Sequence, residues 1–129
     1  MKIIQILNAR DSLAKINKIK FDDFNITFKV FKLTKRVNEI LEVVKIEQNK
    51  LISEYVVTDN NGVPEVNGHQ YMFKDPDAEN KYFEEYKAIL NTSASLIEPI
   101  EIPLSSVKSA TDISTEDLFK LDSLIKWTE

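Results

Sequence analysis

Asp59-Asn60-Asn61-Gly62-Val63-Pro64-Glu65-Val66-Asn67-Gly68 contains both glycines of the chain and follows directly on a long stretch of helical spacing. Glycine adopts positive φ without steric cost, and asparagine tolerates it better than most residues. Asn61-Gly62 and Asn67-Gly68 therefore read as two tight turns that stop a helix and reverse the chain twice. The segment has no phosphate loop, nucleophile elbow or ligand cluster, so it decides architecture and brings no chemistry.

Working back from that break, Asp22-Asp23 are suited to cap a helix, and a helical period runs from them to about Val57. Ile26, Val30, Leu33, Val37, Ile40, Leu41, Val44, Leu51, Ile52 and Tyr55 fall on one stripe at about 100° per residue. Its weakest stretch is Ile26 to Val30, where Ile26, Thr27 and Val30 are β-branched and a strand competes. Further back, Ile3, Ile4, Ile6 and Leu7 predict a short strand. Asp11-Ser12 then opens a brief helix carrying Leu13, Ile16 and Ile19.

Working forward, Gln70-Tyr71-Met72-Phe73 reads as a strand, with Val63 to Val66 as its hairpin partner through Asn67-Gly68. Pro64 confines that partner to an edge. Asp75-Pro76-Asp77 is a helix start, with Asp75 as cap and Pro76 at the first helical position. Tyr82, Phe83, Tyr86, Ile89 and Leu90 give this helix one apolar face, ending near Thr92. Ile97 to Leu104 alternates apolar residues with glutamate or proline, and Pro99 and Pro103 make it an edge strand. Ser114, with Asp117 three residues later, opens a last helix through Leu118, Phe119, Leu121, Leu124, Ile125 and Trp127. The expected fold class is α+β: a long antiparallel helical hairpin, a small antiparallel sheet across it, and short terminal helices, with residues 1–129 forming a single domain.

A chain of 129 residues without cysteine builds its core without disulfides, thiolate chemistry or cysteine metal sites, which fits an intracellular or virion protein. The opening Met1 to Leu7 is too short an apolar run for a signal sequence or a membrane span, so export by that route is not expected. Charge is divided unevenly. Residues 1–36 carry 9 Lys/Arg against 3 Asp/Glu, a balance of +6, and residues 37–129 carry 8 against 18, a balance of −10. Either the two parts face each other, within one domain or between copies, or the basic end marks a surface for nucleic acid or an acidic partner.

Phe24, Phe28 and Phe31 stand at i, i+4 and i+7 on the long helix, away from the main stripe, with Phe21 just ahead. A helix that is apolar on two sides needs two neighbours. Either Leu13, Ile16 and Ile19 cover these rings, or the rings form a docking surface for a partner or a second copy. Lys29, Lys32 and Arg36 make a basic ridge between the two faces. Cations beside aromatic rings suit nucleic acid, with phosphates on the ridge and bases on the rings. The acidic chain, which has no nucleic-acid motif, argues against it and for a solvated face.

His69, the only histidine, has Glu65, Asp75 and Asp77 as its nearest acids in sequence, without metal-ligand spacing. Asp59-Asn60-Asn61-Gly62 resembles the start of a calcium loop, but Pro64 and Gln70 stand where glycine and glutamate are needed. Glu84-Glu85 and Asp22-Asp23 are adjacent on helices and diverge, so neither forms a catalytic carboxylate pair. No enzyme, cofactor or metal is expected.

Leu51-Ile52-Ser53-Glu54-Tyr55, the break at Asp59 to Pro64, the strand through Tyr71, the helix bearing Tyr82-Phe83-Glu84-Glu85-Tyr86, and Pro99-Ile100-Glu101-Ile102-Pro103-Leu104 together resemble a family of uncharacterised short proteins of tailed phages and prophages. The similarity is one of element order over roughly residues 30–127. It implies a phage setting, in the virion or the host cytoplasm, and an accessory or structural role, with no catalytic residues to carry over. The expectation is a non-enzymatic protein acting by protein–protein contact or self-association, as a minor virion or assembly component or a binder of a host factor. Phe24, Phe28, Phe31, Lys29, Lys32, Arg36, Ile100 and Ile102 are its candidate contact residues. The alternatives are an oligomeric protein that sequesters a nucleotide signal, and a nucleic-acid binder.

Overall fold

The longest helix is α2, Phe24–Tyr55, 32 residues free of glycine and proline. Asp23 opens it: its Oδ1 accepts the Asn25 N–H at 2.9 Å, and its carbonyl accepts from Ile26 and Thr27. In this computed structural model, which describes residues 1–94 and 97–129, the fold is α+β, with helices α1 and α2 packing together and two small two-stranded sheets. The β-branched stretch Ile26 to Val30 stays helical because Ile26 and Val30 are both buried in the core shared with α1, and packing outweighs the small propensity deficit.

The chain gathers into two units, residues 1–41 with 93–129 and residues 42–92. The boundary falls inside α2, between Leu41 and Glu42, where no change of composition marks it.

In the first unit, α1 runs over Ile3–Asn17, so the strand expected at Ile3 to Leu7 is helix. Two features explain the correction. Gln5 turns its Oε1 back to the Lys2 N–H at 2.7 Å, capping the helix start. Ile6, Ala9, Leu13 and Ile16 then form one continuous buried stripe, to which Ser12, expected near a helix start, contributes as an interior residue. The strand β3, Ile100–Pro103, lies where the alternation placed it. A 3-10 turn, Leu104–Ser106, and the helix α4, Thr115–Lys120, follow.

The expected long C-terminal helix ends early. Leu121 caps α4, and Ile125–Thr128 forms β4, parallel to β3 in the register Ile100↔Ile125 and Ile102↔Trp127. Asp122-Ser123 turns the chain, and Ile125, Lys126 and Trp127 alternate buried, exposed and half-buried, the period of a strand. Parallel strands need a crossover, which residues 104–124 supply. Ile102, Leu121, Leu124 and Ile125 are sealed in the same core as α1 and the first half of α2.

In the second unit, the break after α2 folds as the glycines foretell. Gly62 has φ +78° and Gly68 has φ +68°. Asp59 Oδ1 accepts the N–H groups of Asn61 and Val63, holding the first turn as an Asx turn. The second turn is a two-residue loop, Gly68-His69, between β1, Val66–Asn67, and β2, Gln70–Tyr71. Glycine takes the first loop position, and Asn67 stays in the strand rather than in the loop. Beyond this short hairpin, Val57, Glu65 and Met72 close a three-way cycle of backbone hydrogen bonds: Val57 N–H to Met72, Met72 N–H to Glu65, Glu65 N–H to Val57. The helix α3, Pro76–Leu90, starts with Asp75 Oδ1 accepting the Ala78 N–H at 2.7 Å. It buries Tyr82 against Ile52 and Val56.

Candidate functional site

The first turns of α2 put apolar side chains on two sides, and only one side is covered. Leu13 and Ile16 of α1 are spent on the stripe of Ile26, Val30, Leu33 and Val37, and Ile19 and Phe21 pack against the same core. Phe28 sits two residues from Ile26, roughly 200° around the helix, beyond the reach of α1. Phe24, Phe28 and Phe31 are accordingly 73%, 49% and 57% exposed, and the covering expected from Leu13, Ile16 and Ile19 does not occur. The rings of Phe24 and Phe28 stack at 6.2 Å with 20° between their planes.

The basic ridge lies beside them. Lys32 Nζ stands 5.5 Å above the Phe28 ring, a distance at which the ring quadrupole attracts a cation. Arg36 reaches Glu39 at 3.7 Å across one turn, an exposed pair of little energetic weight. Two grooves flank the ridge, and Lys32 and Arg36 line both. One, of about 370 Å³, has Phe28 and Phe31 as its apolar wall and Lys35 and Glu39 at its side. The other, of about 530 Å³, is closed by the segment Ile97 to Ile100 and also takes in Lys29. Its opposing wall contributes Glu98, which lowers its attraction for anions.

Of the eight candidate contact residues, six therefore share one solvent-facing region of α2. Ile100 is half-buried beside it. Ile102 is a correction: fully buried, its side chain belongs to the core and its backbone to the β3–β4 ladder, so it offers nothing to a partner. His69 is exposed in its hairpin loop, and among the described residues no group of three histidine, cysteine, aspartate or glutamate side chains gathers where a metal ion could be held. Among these residues, too, no helix is long and apolar enough to cross a membrane. Comparison of the chain with protein-family models, curated proteins and solved structures returns no match.

One polar cluster escaped the sequence reading. Asp117, recognised there only as the acid of a capping box, is buried and carries four hydrogen bonds on one carboxylate. Its Oδ2 accepts from the Ser114 N–H at 2.9 Å, Ser114 Oγ at 3.0 Å and Lys15 Nζ at 3.0 Å, while Oδ1 accepts from Ser12 Oγ at 2.6 Å. The Ser114 backbone donor, then Ser12, hold its carboxyl well below the usual carboxylate range, against the opposing effect of desolvation. The cluster ties α1 to α4 and lines neither of the grooves described above. Ser12 could have signalled it, as a small polar residue inside an otherwise apolar stripe.

Proposed function

We propose that this is a non-enzymatic, phage-encoded accessory protein that works by contact with another protein, as a minor virion or assembly component or as a binder of a host factor. The observation that carries the contact role is the row Phe24, Phe28 and Phe31, each about half exposed or more on one helix face. Leaving three phenylalanine rings in water forgoes several kcal/mol of burial, on the order of 1 to 2 per ring, and such patches mark interaction sites. Aromatic anchors beside cations suit an acidic partner surface that presents apolar side chains, since Lys32, Lys35 and Arg36 line one groove with Phe28 and Phe31. The phage setting rests on the similarity in element order over residues 30–127.

Mass spectrometry of purified particles, combined with a photo-crosslinking side chain at Phe31, tests the reading. The expected result is a fixed copy number in particles, or a crosslink to one acidic protein, lost in the double variant Phe28→Glu, Phe31→Glu at unchanged melting temperature. A variant that keeps wild-type incorporation and crosslinking overturns it.

The groove of about 530 Å³ over Lys29, Lys32 and Arg36 favours a second reading, an oligomeric protein that sequesters a phosphate-bearing nucleotide. Nucleotides would then raise the melting temperature with saturating concentration dependence, and Lys29→Gln would abolish the rise.

A further inference from the structure

The second unit contains a cavity that the contact role does not use. Residues 71 to 86 hold five of the twelve aromatic side chains of the protein, and the fold brings them together around Tyr82. Tyr86 stacks on Tyr82 at 5.9 Å with 7° between planes. Tyr71 and Phe83 meet Tyr82 nearly edge-on, at 71° and 82°, and Phe73 closes on it at 5.3 Å. Walls at steep angles to one another, rather than one flat stack, enclose a recess of about 270 Å³ lined by these five rings.

Two further features give the recess a preferred ligand. Glu79 lines it, His69 stands at its side, and among the described residues no lysine or arginine contributes to its walls. Lys81, on the same helix, pairs with Asp77 at 3.1 Å. The unit as a whole is acidic: residues 42–92 carry 5 Lys against 10 Asp/Glu, a balance of −5. Ring faces carry a negative quadrupole, so an aromatic recess with one carboxylate in its wall attracts a soft organic cation more than an anion or a neutral apolar group. Its volume lies at the low end for ligand sites and suits a head group rather than a drug-sized molecule. Phe83 remains 55% exposed, which leaves the recess open to solvent on one side.

We propose that the recess formed by Tyr71, Phe73, Tyr82, Phe83 and Tyr86, with Glu79, binds an organic cation: a quaternary or methylated ammonium, or a guanidinium. The cation enters past Phe83, its positive end lies against the ring faces, and the Glu79 carboxylate supplies the counter-charge. The same head group occurs on a free small molecule and on a basic side chain of a peptide.

The test is titration of the full chain with choline, with its uncharged carbon isostere dimethylbutanol, and with acetylated amides of trimethyllysine and arginine. Binding is read from the aromatic NMR signals of the tyrosines. The expected result is saturable shifts of the Tyr71 and Tyr86 rings by the cations, with dissociation constants on the order of millimolar, and binding of the isostere at least about tenfold weaker. Tighter binding of the amino-acid amides than of choline assigns the source as a partner side chain, and the reverse assigns a free ligand. Phe83→Leu and Glu79→Gln each weaken the cation by about threefold or more while leaving the melting temperature in place. Both substitutions lie at exposed positions, so folding is preserved. Equal binding of choline and the uncharged isostere overturns the proposal, as does the absence of saturable ring shifts with every cation.

Discussion

Replacing Asp117 by asparagine tests how the first unit is held together. The side chain keeps its shape, loses its charge and exchanges one acceptor oxygen for a donor. At the wild-type site four donors converge on the carboxylate, three of them from Ser114 N–H, Ser114 Oγ and Ser12 Oγ. An amide can accept from one set only, so at least one donor group of a buried cluster is opposed or abandoned. Abandoning a hydrogen bond to a buried charged group costs about 1.5–3 kcal/mol, and a helix cap is worth about 1 kcal/mol. The Lys15 contact adds little, because the Lys15 side chain is 44% exposed and its attraction is screened by water. The expected loss is therefore about 3 kcal/mol, a large share of the 5–15 kcal/mol typical of a domain. Ser12→Ala and Ser114→Ala each cost about 1–2 kcal/mol, and Lys15→Met less than about 1 kcal/mol.

Urea denaturation followed by the fluorescence of Trp127 measures these values. Trp127 is the only tryptophan and lies in the same unit as Asp117. Because the folded-state pKa of Asp117 is depressed, its stabilisation is complete above the unfolded value of about 3.9 and drains away as pH falls below it toward the folded value. Wild type should thus lose stability below about pH 4 more steeply than Asp117→Asn, narrowing the gap seen at neutral pH. A loss under about 1 kcal/mol for Asp117→Asn at pH 7, or a loss for Lys15→Met as large as for Asp117→Asn, would refute this account.

Three other outcomes follow from the geometry. Among the described residues, the buried Trp127 Nε1 has no acceptor, so Trp127→Phe should leave stability by far-UV circular dichroism within about 1 kcal/mol of wild type. Gly62 has open space around a notional Cβ, so only its φ of +78° resists substitution; Gly62→Ala should cost about 1–2 kcal/mol in chemical denaturation and Gly62→Asn less. Desolvation first, then the Glu85 and Glu54 carboxylates, push the Tyr55 hydroxyl up to about 12. The folded state therefore favours neutral Tyr55, and this contribution fades as pH rises past the unfolded value of about 10; Tyr55→Phe should flatten that alkaline loss in melting experiments from pH 9 to 12, roughly.

The basic ridge and the phenylalanine row were legible because both lie on one uninterrupted helix, where spacing alone places a side chain on a face. Whether those rings are covered was not, since that depends on where Leu13 and Ile16 of another helix point. Ile102 shows the same limit: alternation gave its strand, but only the pairing with Ile125–Thr128 reveals which face is sealed. The aromatic recess was half legible. Tyr82, Phe83 and Tyr86 declare a helix face, yet Tyr71 and Phe73 join them only because the hairpin folds back.

By itself, the sequence determined the features that depend on neighbours along the chain. These are the span of α2 through its 3.6-residue period, the turns at Gly62 and Gly68 through positive φ, and the starts of α3 and α4 through Asp75 and Ser114. Local sterics and local hydrogen bonds decide such features within a few residues. Tertiary structure decided the burial that keeps Ile3 to Leu7 helical, the parallel strand at Ile125–Thr128, and the Ser12 and Lys15 contacts of Asp117. The Asp117 contacts reach Ser12 and Lys15, 105 and 102 positions away, β4 pairs with Ile100–Pro103, and Ile6 is sealed in a core shared with α2 and the C-terminal segment; the energy of burial and pairing between separate segments leaves no periodic trace in either alone.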